Sequence, residues 1–154
     1  MIEPRTDRPA VRDYGIPETT EELLPFDDAL QKLREARNYW LVTVRPDGRP
    51  HAVPVWGVVV EGTVYFGGGP DTRKARNLDA NPNVVVHTES GDDVVIIEGE
   101  VWRVEIDPEQ ERVDDAYEEK YDMRHGPQVW GVRPRVAFGW TEFPRTMTRW
   151  TFGS

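Results

Sequence analysis

The chain has 154 residues, a net charge of -9 from 28 acidic against 19 basic residues, and no cysteine. That length suits one domain burying roughly two-thirds of the surface its unfolded chain exposes. The acidic excess argues against nucleic acid or an anionic membrane as partner, and the lack of cysteine excludes disulfides, thiolate nucleophiles and cysteine-held metals. No apolar run nears the roughly 20 residues of a membrane span, and Met1 to Arg5 opens without one, so a soluble cytoplasmic protein is expected.

Residues 1–25 are polar and carry Pro4, Pro9, Pro17 and Pro25. They predict an irregular arm, free or wrapped on a partner subunit, ahead of a single domain over 26–154. From Asp27 to Asn38, Ala29, Leu30, Leu33 and Ala36 recur at helical spacing, with acids first and Arg34 and Arg37 late, predicting a short amphipathic helix. The period then changes. Tyr39 to Val44, His51 to Val60 and Thr63 to Gly67 read as three antiparallel strands, joined by Pro46-Asp47-Gly48 and Glu61-Gly62.

Next comes Gly67-Gly68-Gly69-Pro70-Asp71-Thr72-Arg73-Lys74, a glycine-rich turn opening a basic helix. The glycines permit close backbone approach, Asp71 is placed to cap, and Thr72, Arg73 and Lys74 sit where free N–H groups favour an anion. The same pattern also fits a plain helix start with solvated arginines. Beyond Asn81-Pro82, Val84 to Thr88 and Val94 to Glu105 predict a strand pair, with Gly99 marking a bend in the longer one. Asp107-Pro108 predicts a capped helix to about Tyr121, with Val113, Ala116, Tyr117 and Tyr121 inward and the acids on a solvated face. Met123 to Gly131 reads as a loop, and Arg133 to Thr141 and Thr146 to Phe152 as two last strands. About seven strands and three helices predict a mainly β (α+β) antiparallel barrel of six to seven strands.

The run from Tyr39 to Trp56 resembles the opening hairpin of the pyridoxamine 5'-phosphate oxidase-like split barrels, most closely the branch using the deazaflavin coenzyme F420. Thr72 to Leu78 is similar to that family's phosphate-binding helix, and Val84 to His87 with Val94 to Gly99 to the strands after it. Weaker likeness lies at Arg133 to Phe138 and Thr148 to Trp150. The resemblance implies a six-stranded split barrel, a homodimer, and two cofactor sites in grooves between subunits. It also implies an F420- or FMN-dependent oxidoreductase acting on a small organic substrate, with a non-catalytic flavin or haem binder as the alternative.

The residues themselves accord with a flat-ring cofactor. Pro54 cannot donate within a strand, which places it at an edge or bulge and leaves backbone groups of Val53, Val55 and Trp56 for a ring's polar rim. Arg73, Lys74, Thr72 and the helix N–H groups would hold a phosphate, with Asn77 also on that helix. His51, His87 and His125 are too scattered for a metal site, and Ser90 lies in a turn without a nucleophile-elbow pattern. His51 and His125 are candidate proton carriers, and Trp56, Trp130 and Trp150 candidate pocket walls.

Overall fold

A computed structural model describes residues 3–153; residues 1, 2 and 154, which belong to the expected arm and domain, lie outside the described residues. In chain order the elements are β1 (Arg5–Asp7), α1 (Phe26–Glu35), β2 (Tyr39–Val44), β3 (Pro50–Val55), β4 (Gly57–Val60) and β5 (Thr63–Gly67). There follow α2 (Arg73–Ala80), β6 (Asn83–His87), β7 (Val94–Arg103), α3 (Asp107–Tyr121), β8 (Val129–Trp140) and β9 (Thr148–Thr151). Every strand pairing is antiparallel.

The pairings close a barrel. β2 pairs β3, β4 pairs β5, β5 pairs β8, β8 pairs β7, β7 pairs β6 and β6 returns to β2. β3 and β4 form one stave that changes partner at Trp56, so the stretch read as one strand from His51 to Val60 is divided there. This makes the barrel six-staved, and split. Among the described residues no strand pairs with the far edge of β3, which is where Pro50 and Pro54 are tolerated. Gly99 does mark a bend: the β7–β8 register shifts between Glu98 and Gly99, and a Cβ there would lie 2.2 Å from the Arg133 carbonyl oxygen.

The barrel is filled by inward side chains such as Leu41, Phe66, Val86, Ile97 and Ala137, with α1 adding Ala29, Leu30 and Leu33. Each large aliphatic side chain buried this way contributes about 1.5–3 kcal/mol. A second cluster forms outside, where Val113, Tyr117 and Tyr121 of α3 cover Val58 and Tyr65. Trp130 and Trp150 are 4% and 1% exposed, so they are core residues rather than pocket walls.

Other details differ from the sequence reading. α1 stops at Glu35 and β8 starts at Val129, inside the segment read as loop. Ile106, not Asp107, occupies the N-cap of α3, and it gives no side-chain cap. Two of that helix's acids are engaged rather than solvated: Glu109 accepts from the Tyr65 hydroxyl at 2.8 Å, and Asp114 from the Gly126 N–H at 2.9 Å. The proline-rich arm contains a strand because β1 adds to β9, locked by Arg149, which donates twice to Asp7 at 2.8 Å. The Arg149 guanidinium holds the Asp7 carboxyl below its ordinary range. Arg8 extends the attachment by donating to the carbonyls of Thr19, Arg145 and Met147.

Candidate cofactor site

β5 ends at Gly67 beside the partner switch at Trp56, and the glycine-rich turn leads from there into α2 across the barrel mouth. Thr72, not Asp71, is the N-cap: its Oγ1 accepts from the Ala75 N–H at 3.3 Å and donates to the Gly69 carbonyl at 2.7 Å. Among the described residues, the N–H groups of Arg73 and Lys74 have no partner. They form the open positive end of the helix.

The glycines have distinct tasks. A Cβ on Gly68 would lie 2.2 Å from Lys74 Cε, so the lysine stem folds across that residue; one on Gly67 would lie 2.1 Å from His125 Nε2. Gly69 has nothing nearer than 3.9 Å. Burial pushes the Lys74 ammonium below the ordinary lysine range, so the site gains from an anion that restores its solvation.

His51 faces the same place. It pairs with Thr43 across the β2–β3 ladder, and its Nδ1 is a buried side-chain nitrogen with no hydrogen-bond partner among the described residues. Burial lowers its pKa, and the nearby charges of Arg45, Arg73 and Lys74 lower it further. A basic cluster with an orphaned imidazole nitrogen and two free N–H groups suits a phosphate.

Asn77 plays a different part. It is 0% exposed, donates to Thr43 Oγ1 at 3.0 Å and accepts from Arg73 Nη1 at 3.3 Å. Its amide thus ties α2 to the barrel and aims Arg73.

Along β3, Val53 and Val55 pair with Leu41 and Tyr39, while Pro50 and Pro54 share the other phase. Antiparallel residues bond to the ladder in alternation, and two prolines cannot carry the bonded phase. The backbone groups of Val53 and Val55 therefore belong to β2. Those left on the open edge are Ala52 N–H and C=O, Pro54 C=O and Trp56 N–H. The free groups fall one residue away from the expected Val53 and Val55, with Trp56 retained.

α3 fixes this edge. Tyr117 donates to the Trp56 carbonyl at 3.1 Å, Lys120 to the Gly57 carbonyl at 2.7 Å, and Tyr121 Oη accepts from the Gly57 N–H at 2.9 Å. The Trp56 indole lies parallel on Tyr121 with centroids 4.3 Å apart, and is 37% exposed. Burial pushes Lys120 down to about 8. Arg45 and this α3 clamp were absent from the sequence reading: Arg45 borders the Pro46-Asp47-Gly48 turn with nothing local to mark it as part of a site, and Tyr117 and Tyr121 at helical spacing looked only like core. His125 sits over Gly67 and 4.8 Å from the Tyr117 ring, its Nδ1 turned to the Gly126 carbonyl at 3.1 Å. His87 lies apart, stacked near Trp40.

No group of three or more metal-ligating side chains occurs among the described residues, and no helix of theirs is long and apolar enough to cross a membrane. A cavity of about 670 Å³ is lined by none of the residues expected to hold a cofactor. Those residues lie instead along β3, whose far edge carries no strand among the described residues, and at the amino end of α2.

The fold is thus a six-staved antiparallel split barrel with the basic helix α2 packed on β2. The model of the pyridoxamine 5'-phosphate oxidase family matches residues 26–143, and the chain belongs to that family. Among solved structures, it is similar to a conserved hypothetical protein of Mycobacterium tuberculosis (22% identity, 77% of this chain and 86% of that one, TM-score 0.67). It is also similar to an F420 reductase (24%, 70% and 94%, TM-score 0.54). A third likeness is to a heme binding protein from Mycobacterium smegmatis (21%, 80% and 57%, TM-score 0.63). No curated protein matches the chain in sequence.

Proposed function

We propose that the chain is a cytoplasmic, homodimeric oxidoreductase that uses coenzyme F420. The observation that carries this reading is the orphaned, buried His51 Nδ1 set among Arg45, Arg73 and Lys74 at the uncapped N–H groups of α2. In this reading Thr72, Arg73 and Lys74 hold the cofactor's phosphate, and Asn77 orients Arg73. The edge formed by Val53, Pro54, Val55 and Trp56 takes the ring through the outward groups of its backbone. When bound, the deazaflavin donates or accepts a hydride.

The protein's own part is positional. The α3 clamp holds Trp56 and Gly57 rigid, and a helix terminus with three cations binds the anion through charge-assisted bonds of about 1.5–3 kcal/mol each. The unpaired edge of β3 and the sheet's outer face support a dimer. Trp40, His87, Ile96 and Phe138 lie in one cross-strand row, half-buried, beside the row of Val42 and Val85. A second subunit on that face would wall the groove and exclude water from the ring.

Likeness to the F420 reductase supports the deazaflavin; likeness to the heme binding protein supports a non-catalytic binder, and FMN fits the same phosphate cradle. Parallel fluorescence titrations of purified protein with F420, FMN and haem separate them. Tight binding of F420 alone, followed by reduction of a substrate with the reduced cofactor, is the expected result. Preference for FMN would make the protein a flavin oxidase or reductase, and preference for haem would overturn the enzyme reading.

A further inference from the structure

The 670 Å³ cavity opens at the opposite end of β5 from the glycine turn. Its walls include Glu61, Gly62 and Thr63, and from Thr63 to Gly67 the strand advances about 13 Å. It lies between the amino end of α1, the β7–β8 bend and the two ends of the described chain. Its volume falls in the range of small-molecule sites.

The lining has two zones. Phe26, Phe152 and Trp102 give aromatic walls, Phe26 and Phe152 meeting edge to face at 4.9 Å, and the deep end reaches Leu30 and Val132 of the core. At the rim stand the exposed carboxylates Glu3, Asp27 and Glu61. Among the described residues two cations stand near it: Arg133, held over the Trp102 ring at 5.6 Å and 3.6 Å from Glu100, and Arg112, 3.9 Å from Glu61. The amino end of α1 also faces the cavity, but Asp27 and Asp28 in its first turn answer its dipole. Three carboxylates against these two cations leave the low-dielectric mouth net negative, and the Phe26 and Phe152 faces add cation–π attraction.

We propose that this cavity is a second ligand site, separate from the cofactor groove, and that it takes an apolar organic cation such as an aromatic amine. The body of the ligand covers Phe26, Phe152 and Trp102, and its charge stays at the rim beside Asp27 and Glu61. The proposal does not depend on which cofactor the groove binds.

Proflavine, a planar aromatic cation, is the probe, titrated into the full chain and followed by its fluorescence and by equilibrium dialysis. One saturable site per chain is expected. Its affinity should fall at least tenfold in the double variant Asp27→Asn/Glu61→Gln and in Phe152→Ala, while Glu111→Gln/Glu119→Gln on α3 and Lys74→Ala leave it unchanged. The exposed rim pair keeps the test informative if Phe152→Ala does not fold. Absence of saturable binding, equal affinity in the rim variant, equal loss in the α3 variant, or displacement by the anionic dye 8-anilinonaphthalene-1-sulfonate would each overturn the proposal.

Discussion

Replacing Gly68 by Ala tests the cofactor cradle without removing any of its charges. The new methyl would lie 2.2 Å from Lys74 Cε and 2.8 Å from Nζ, so the lysine must leave its path over the turn. Because the obstructing atoms are the far end of a flexible side chain, the stability change should stay within about 0.5 kcal/mol, or a Tm shift of about 2 °C. The anion loses one charge-assisted bond of about 1.5–3 kcal/mol, roughly a 10- to 150-fold rise in Kd for the phosphate-bearing cofactor. Lys74→Ala should lose the same amount, and the double variant little more than either. Gly69→Ala, with 3.9 Å of clearance, is the neutral control. The assay is fluorescence titration with F420 and FMN beside a thermal melt. Wild-type affinity in Gly68→Ala with intact stability would refute the placement of Lys74 against the phosphate.

Asn77→Ala removes a buried amide and strands Thr43 Oγ1, so a loss of about 1–3 kcal/mol is expected, read as a lower Tm, with weakened anion binding as Arg73 loses its support. Binding of a phosphate-bearing cofactor should raise the His51 pKa from its lowered value, because the anion offsets Arg45, Arg73 and Lys74; ring-proton NMR titration with and without FMN reads this, and an unmoved or lowered value contradicts it. Lys120, near 8 when folded, binds its proton more weakly than in the unfolded chain. Stability should therefore rise with pH between about 8 and 10, and above that the raised tyrosines Tyr39, Tyr65 and Tyr117 reverse the trend. Lys120→Met should shrink the rise in chemical-denaturation curves to the smaller part that Lys74 carries, and an undiminished rise would assign it elsewhere.

Alternation made β2 readable to the residue, because it keeps one face on the core along its whole length, while β5, buried on both faces, was bounded by the Glu61-Gly62 turn and Gly67. The division of the next stave at Trp56 was not readable: it depends on where β2 ends and β5 begins, a fact of distant partners. The same limit explains Trp130 and Trp150. Their sequence neighbours resemble a loop and a final strand, and only the closed barrel encloses them. At the site, the glycines, Thr72, Arg73 and Lys74 stood out because a helix start has a local signature. Asp71 and Thr72 are both capping types in adjacent positions, so the choice between them awaited the geometry of the turn. Asn77 and His51 acquired their roles from neighbours on other segments, Thr43 of β2 and Arg45 of the hairpin turn, and pattern alone could not pair them. Glu109 and Asp114 looked solvated for the same reason, since their partners come from other elements.

In the proposed function, the split beside β3 and the amino end of α2 together hold a flavin-type cofactor. A crystal structure of the protein grown with F420 tests it most directly. The predicted result is phosphate density at the N–H groups of Arg73 and Lys74 within reach of His51 Nδ1, with the ring along Ala52 to Trp56. Cofactor density lying instead between Phe26, Phe152 and Trp102, or a cradle left unchanged at saturating cofactor, would contradict it.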